Sequence, residues 1–176
     1  GGQGGLWGGE IDAMTEAAEK DRQLVCLSNG HYSTMLTSTG TGYAAWNGRS
    51  VSGWKPDSTE DRWGQFIVLR DTATNQWWST TAEPRRIEGE ETKAVFGDEK
   101  AEFHKTVGTL TSTVECIVAT EHDAEGRRLT LLNTGSEDRY IEVTSYPEPG
   151  IAHENDERAH PGVSRTVVKT GSGQIG

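Results

Sequence analysis

Two cysteines in 176 residues are too few for a disulfide framework, and Cys26 and Cys116 have no metal-ligand spacing. They read as two buried thiols in a reducing, cytoplasmic compartment, with pairing in an oxidising one left open. Hydrophobic residues are scarce, at 32%, and mean hydropathy is −0.67. No apolar run approaches the roughly 18 residues that a spanning helix needs, so no membrane segment is expected. No basic stretch leads into an apolar one, so no signal peptide is read. Basic residues are also in short supply, 17 against 27 acidic, for a net charge of −10. A surface of that sign repels phosphate backbones and argues against nucleic acid as a partner. The chain is long enough for one domain, which would bury about 70% of its unfolded surface without a metal or disulfide staple.

What the chain has in quantity is glycine, 22 residues. Residues 1–9, GGQGGLWGG, read as a tail or linker, because so many glycines cannot hold a backbone in place. The alanines, glutamates and lysine of residues 10–22 predict a short amphipathic helix, with Ile11, Met14 and Ala18 at helical spacing. From residue 24 the period changes. QLVCLS, HYSTMLTS, GQFIVLR, TKAVF, AEFHK, TLTSTVECIVA, RRLTLLN and YIEVTSY are short runs rich in β-branched and aromatic residues. Turn signals such as Asn29-Gly30, Asn47-Gly48 and Asp123–Gly126 separate them. That spacing predicts an all-β antiparallel sandwich. In 109–119, Leu110, Val114, Cys116 and Val118 share one face, and threonines with Glu115 take the other. Ile141 and Val143 alternate with Glu142 and Thr144 in the same way. Residues 147–162, with Pro147, Pro149 and Pro161, read as a long loop before a last strand, VSRTVVK. The expected organisation is a tail and helix over 1–23, a sandwich over 24–170 and a flexible tail over 171–176.

Five of the six tryptophans, Trp46, Trp54, Trp63, Trp77 and Trp78, fall in one short window with Tyr43. Flat aromatic faces suit the apolar faces of sugar rings, and Arg49, Asp61, Arg62, Arg70 and Asp71 nearby could bond hydroxyls. The same rings could simply fill a small β core. Glycoside hydrolysis needs two carboxylates about 5–9.5 Å apart, and among so many acids none stands out as a pair. Glu148, between two prolines, is either a cleft carboxylate or a loop charge. The five histidines show no helical metal spacing. No nucleophile elbow, P-loop or dinucleotide fingerprint is present, so no cofactor is expected. TGTGY, residues 39–43, reads as a tight turn.

SNGHYSTMLTSTGTGYAAW, DRWGQFIVLRD and WWST, with AEFHKTVGTLTSTVECIVATEHDAEGRRLTLLN, EVTSYPE and AHPGVSRTVV following in order, resemble the β-sandwich module of glycoside hydrolase family ninety-four, formerly glycosyltransferase family thirty-six. The pattern is nearest to modules of cyclic β-1,2-glucan synthases and spans residues 24–169. The resemblance implies a supersandwich beside a helical linker and an (α/α)₆ catalytic barrel that this chain lacks. It implies a non-catalytic module in the cytoplasm, with inner-membrane association open for the parent. A β-glucan or gluco-oligosaccharide, the barrel and a homodimer are the partners it implies. Carried over on motif match alone, the carbohydrate-facing residues are Tyr43, Trp46, Asp61, Arg62, Trp63 and Trp78. Two departures stand out: Gly53-Trp54-Lys55-Pro56 where T-R-W-R is expected, and two prolines in Ser145–Pro149 where the family tends to S-Y-A-E-V. The first loses an arginine and the second two backbone donors. A complete family sandwich is also longer than this chain. The competing readings are a docking or dimerisation scaffold without sugar affinity, and a self-sufficient glycosidase or isomerase for which no catalytic pair is evident.

Overall fold

A computed structural model describes residues 23–52 and 63–152. The expected N-terminal helix and the strand VSRTVVK lie outside the described residues. Twelve strands are formed among the described residues: β1 (Leu24–Ser28), β2 (Tyr32–Thr37), β3 (Gly42–Trp46), β4 (Arg49–Ser52), β5 (Gln65–Asp71), β6 (Trp77–Ser79), β7 (Glu91–Phe96), β8 (Lys100–Val107), β9 (Leu110–Val118), β10 (Glu125–Asn133), β11 (Ile141–Pro147) and β12 (Pro149–Ala152). They build three antiparallel sheets, ordered β1-β2-β3-β4-β12, β10-β9-β8-β7 and β11-β5-β6.

The alternation in β9 decides the packing. Leu110, Ser112, Val114 and Cys116 are buried, and the residues between them are half-exposed or exposed. Val114 and Cys116 join Ala101 and Phe103 of β8 and meet Leu27 and Leu36 of the five-stranded sheet. Leu110, at the other end of β9, meets Leu69 and Trp78 of the three-stranded sheet. Ile67 and Leu129 border both clusters. The four-stranded sheet is thus a floor, with one of the other sheets packed over each half. Burying apolar faces between layers is what stabilises such a fold.

Turn chemistry closes the hairpins. Asn47 (φ 47°) and Gly48 (φ 74°) form the two-residue link between β3 and β4, the left-handed pair that an Asn-Gly hairpin turn requires. Gly40 (φ 91°) turns β2 into β3, as the reading of TGTGY expects. Three features depart from the sequence reading. Pro149–Ala152 is a strand, not loop, and pairs irregularly with β4 at a sheet edge, where a proline costs no ladder bond. Cys26 is exposed while Cys116 is buried, and both are free thiols; Cys26 sits on the outward side of an edge strand. β11 does not alternate: Glu142 to Pro147 are all exposed, and among the described residues β11 is an edge strand of a narrow sheet.

Candidate functional site

At one end of the sandwich three turns converge on an aromatic ring. Trp46 ends β3, with Tyr32 and Arg49 as its cross-strand neighbours. Its indole Nε1 donates to Asp123 Oδ2 at 2.6 Å, across to the β9–β10 turn. That turn is pinned from the other sheet by Asn29, whose Nδ2 donates to the carbonyls of Ala119 and His122, each at 2.9 Å. His31 Nδ1 stands 3.4 Å from Asn47 Oδ1. Trp46 stays 40% exposed. The result is a fixed, flat, apolar surface with a rim of imidazole, amide, guanidinium and carboxylate. Such an arrangement recognises an amphipathic ring. Beneath it the Tyr32 phenol donates to Glu125 Oε2 at 3.4 Å. Burial, then the Glu125 carboxylate, pushes its pKa up to about 12, so it remains a neutral donor.

The other residues singled out from the sequence have different fates. The three motifs do meet: the Gly42 N–H donates to the Trp63 carbonyl at 3.0 Å, and Gly40 packs so close to Thr81 that an added Cβ would lie 2.2 Å from the threonine Cβ. Around them Thr37 Oγ1 bonds Thr41 Oγ1 at 2.6 Å and Thr39 Oγ1 at 2.9 Å. This polar layer is internal. Tyr43 is only 7% exposed, with its hydroxyl bonded to Ser50 Oγ at 2.8 Å. Trp78 is 1% exposed and packs on Leu69 and Leu110, so its ring is a core element. Its neighbour Trp77 is exposed, with the Arg85 guanidinium 4.0 Å above its ring. Trp63 is half-buried. Asp61 and Arg62 lie outside the described residues. Glu148 is half-buried between β11 and β12 and accepts a 3.5 Å bond from the Tyr146 hydroxyl. Asp123 was legible only as a turn residue; its role at Trp46 depends on pairing across sheets.

Two buried ion pairs flank the second core cluster. Lys105 Nζ lies 2.7 Å from Glu90 Oε2 and donates to the Thr81 carbonyl at 3.0 Å. Burial depresses the lysine pKa more than Glu90 restores it. Asp71 is bonded by Arg139 Nε at 2.9 Å and by the N–H of Ala73 at 2.8 Å and of Thr74 at 3.3 Å. Burial alone would raise the Asp71 pKa, but these donors outweigh it and hold the carboxyl below the usual range. Burial pushes the Cys116 thiol up to about 11.

The sequence profile of the glycosyl hydrolase 94 supersandwich domain matches residues 10–174. The chain belongs to that family, and the all-strand, antiparallel architecture agrees. It is 61% identical over 169 residues to the cyclic beta-(1,2)-glucan synthase NdvB of Rhizobium meliloti (strain 1021), covering 96% of this chain and 6% of that protein. Over 132 residues it is 24% identical to the N,N'-diacetylchitobiose phosphorylase of Vibrio furnissii, covering 72% of this chain and 16% of the phosphorylase. The chain therefore spans a small fraction of the length of these curated relatives. Among the described residues no helix is long and apolar enough to cross a membrane.

Proposed function

We propose that this chain is a non-catalytic, carbohydrate-facing module of a cyclic β-1,2-glucan synthase or a related β-glucoside phosphorylase. Its role is to help form the glucan cleft beside a catalytic barrel. The observation that carries this reading is Trp46: a ring 40% exposed, with its N–H already held by Asp123 at 2.6 Å. A ring fixed before the ligand arrives loses little freedom on binding. Arg49, His31 and Asn47 supply donors and acceptors at its rim, and Asp61, Arg62 and Trp63 are the further contacts that the family motifs suggest. The 61% identity to a protein named as a cyclic glucan synthase supports a β-1,2-glucosyl ligand. Titration of the chain with β-1,2-linked gluco-oligosaccharides, followed by tryptophan fluorescence, tests it. Saturable quenching that Trp46→Ala abolishes, with the circular dichroism spectrum unchanged, is the expected result. A flat titration from folded wild-type protein refutes it.

One observation favours a second reading, a docking scaffold without sugar affinity. β11 is exposed on both faces and carries Val143 and Tyr146, each about half exposed. Free edges with apolar side chains are surfaces that other strands pair with. A flat titration together with concentration-dependent association in sedimentation velocity favours this alternative.

A further inference from the structure

A groove of about 490 Å³ lies at the opposite end of the β9–β10 hairpin, between β10 and the start of β11. The length of β10 places it about 30 Å from Trp46. Its floor is apolar, formed by Leu110, Leu131 and Ile141, and its rim holds Asn133, Arg139 and Tyr140, with Asp138 beside them. Tyr140 is 71% exposed, yet its backbone is fixed: its carbonyl accepts from the Thr72 N–H at 3.0 Å and from Thr72 Oγ1 at 3.2 Å. Arg139 is fixed as well. Its Nε binds Asp71, while Nη1 makes only a 3.4 Å bond to Thr109 Oγ1 and keeps donor capacity. Asn133 is held through Nδ2 to the Glu137 carbonyl at 2.8 Å.

A concave site with an apolar floor, one presented aromatic ring and a few oriented polar groups is the usual form of a small-ligand pocket. Its charge selects the ligand class. Among the lining residues Asp138 is the one acid and Arg139 the one base, and the buried Asp71 already neutralises that guanidinium. An anion such as phosphate is disfavoured, whereas a neutral polyol can stack a ring face on Tyr140 and bond Arg139, Asp138 and Asn133 through its hydroxyls. We infer that the Tyr140 groove is a second carbohydrate subsite, binding a neutral glucosyl segment remote from the Trp46 ring. The identity of the sugar rests on the function proposed above; the groove and its charge do not.

Isothermal titration of the 176-residue chain with β-1,2-gluco-oligosaccharides tests this, comparing wild type with Tyr140→Ala, Tyr140→Phe and Trp46→Ala. Tyr140→Ala should weaken binding at least fivefold, the loss of roughly 1 kcal/mol expected of an anchoring aromatic. Tyr140→Phe should bind like wild type, because the ring face is retained. Inorganic phosphate should give no heat. Wild-type affinity in Tyr140→Ala, with Trp46→Ala impaired, overturns the subsite and leaves the Trp46 reading standing. The reverse pattern upholds the subsite and overturns that reading. No binding by wild type overturns both. Saturable binding of phosphate that Tyr140→Ala weakens overturns the neutral-ligand assignment.

Discussion

Replacing Lys105 with methionine should be among the most damaging single changes away from the apolar core. The lysine side chain is fully buried and its ammonium meets Glu90 Oε2, the Thr81 carbonyl and the Arg85 carbonyl. The carbonyls keep other donors: Arg85 O also accepts from the Ser79 N–H at 3.2 Å, which leaves the one Ser79 hydroxyl proton for Thr81 O at 2.9 Å. Glu90 does depend on it. Its Oε2 retains only the Ile87 N–H at 2.8 Å, and its buried Oε1 accepts no hydrogen bond among the described residues. Removing one partner of a buried pair leaves an uncompensated charge, at a cost of about 3–5 kcal/mol. For a chain of this size that corresponds to a fall in Tm of roughly 6–20 °C. Lys105→Met combined with Glu90→Gln should recover about 2–3 kcal/mol of the loss, a coupling typical of contacting residues. The amide keeps an acceptor for the Ile87 N–H and carries no charge. Urea denaturation at pH 7 of wild type, the two single variants and the double variant measures the cycle. A single Lys105→Met cost below about 1 kcal/mol, or a double variant no more stable than Lys105→Met, would refute the view that Glu90 is the group left stranded.

Three further outcomes are expected. Asp71 has its pKa lowered in the folded state, so its contribution to stability is present above the ordinary carboxylate pKa and is lost as pH falls through the folded value; Asp71→Asn should flatten the acid limb of a stability-against-pH curve, and an unchanged limb would contradict this. Gly40→Ala places a Cβ 2.2 Å from that of Thr81 on a backbone of φ 91°, so it should lower the urea midpoint strongly, and adding Thr81→Gly should restore only the steric part; a midpoint equal to wild type would rule out the close approach. Native protein should react with one equivalent of a thiol reagent per chain, at exposed Cys26, while Cys116, with its pKa near 11, reacts only on unfolding; two fast thiols in a native titration would contradict the burial of Cys116.

The strands with alternating β-branched residues were legible because one face of each must be dry. β9 is the clearest: Thr111, Thr113 and Glu115 fall on one side and Leu110, Val114 and Cys116 on the other, with Ile117 the one exposed apolar exception. β3, β4, β6 and β12 were not legible. Gly42–Trp46 and Arg49–Ser52 are rich in small residues, Trp77–Ser79 is three residues long, and Pro149–Ala152 opens on a proline. Their strand character comes from neighbours that complete the ladder, not from local preference. The adjacent Trp77 and Trp78 make the same point about the site. A two-residue period dictates that one ring faces in and the other out. Which one faces in depends on where the four-stranded sheet lies, and that is not written locally. The segments around Gly40, Trp63 and Thr81 come together on a threonine-lined interior. Among the described residues, the solvent-facing rings of the tryptophan window are Trp77 and Trp46, and the partner of Trp46, Asp123, is 77 residues away. No spacing rule links the two.

The shared floor of the sandwich has a consequence for how the domain comes apart. Ile67 and Leu129 belong to both core clusters, so neither upper sheet can peel away without loosening the packing under the other. The described strands should therefore lose protection against hydrogen exchange as one cooperative unit. A ligand held at Trp46 would then raise the opening free energy at Tyr140, with no need for either end to change shape.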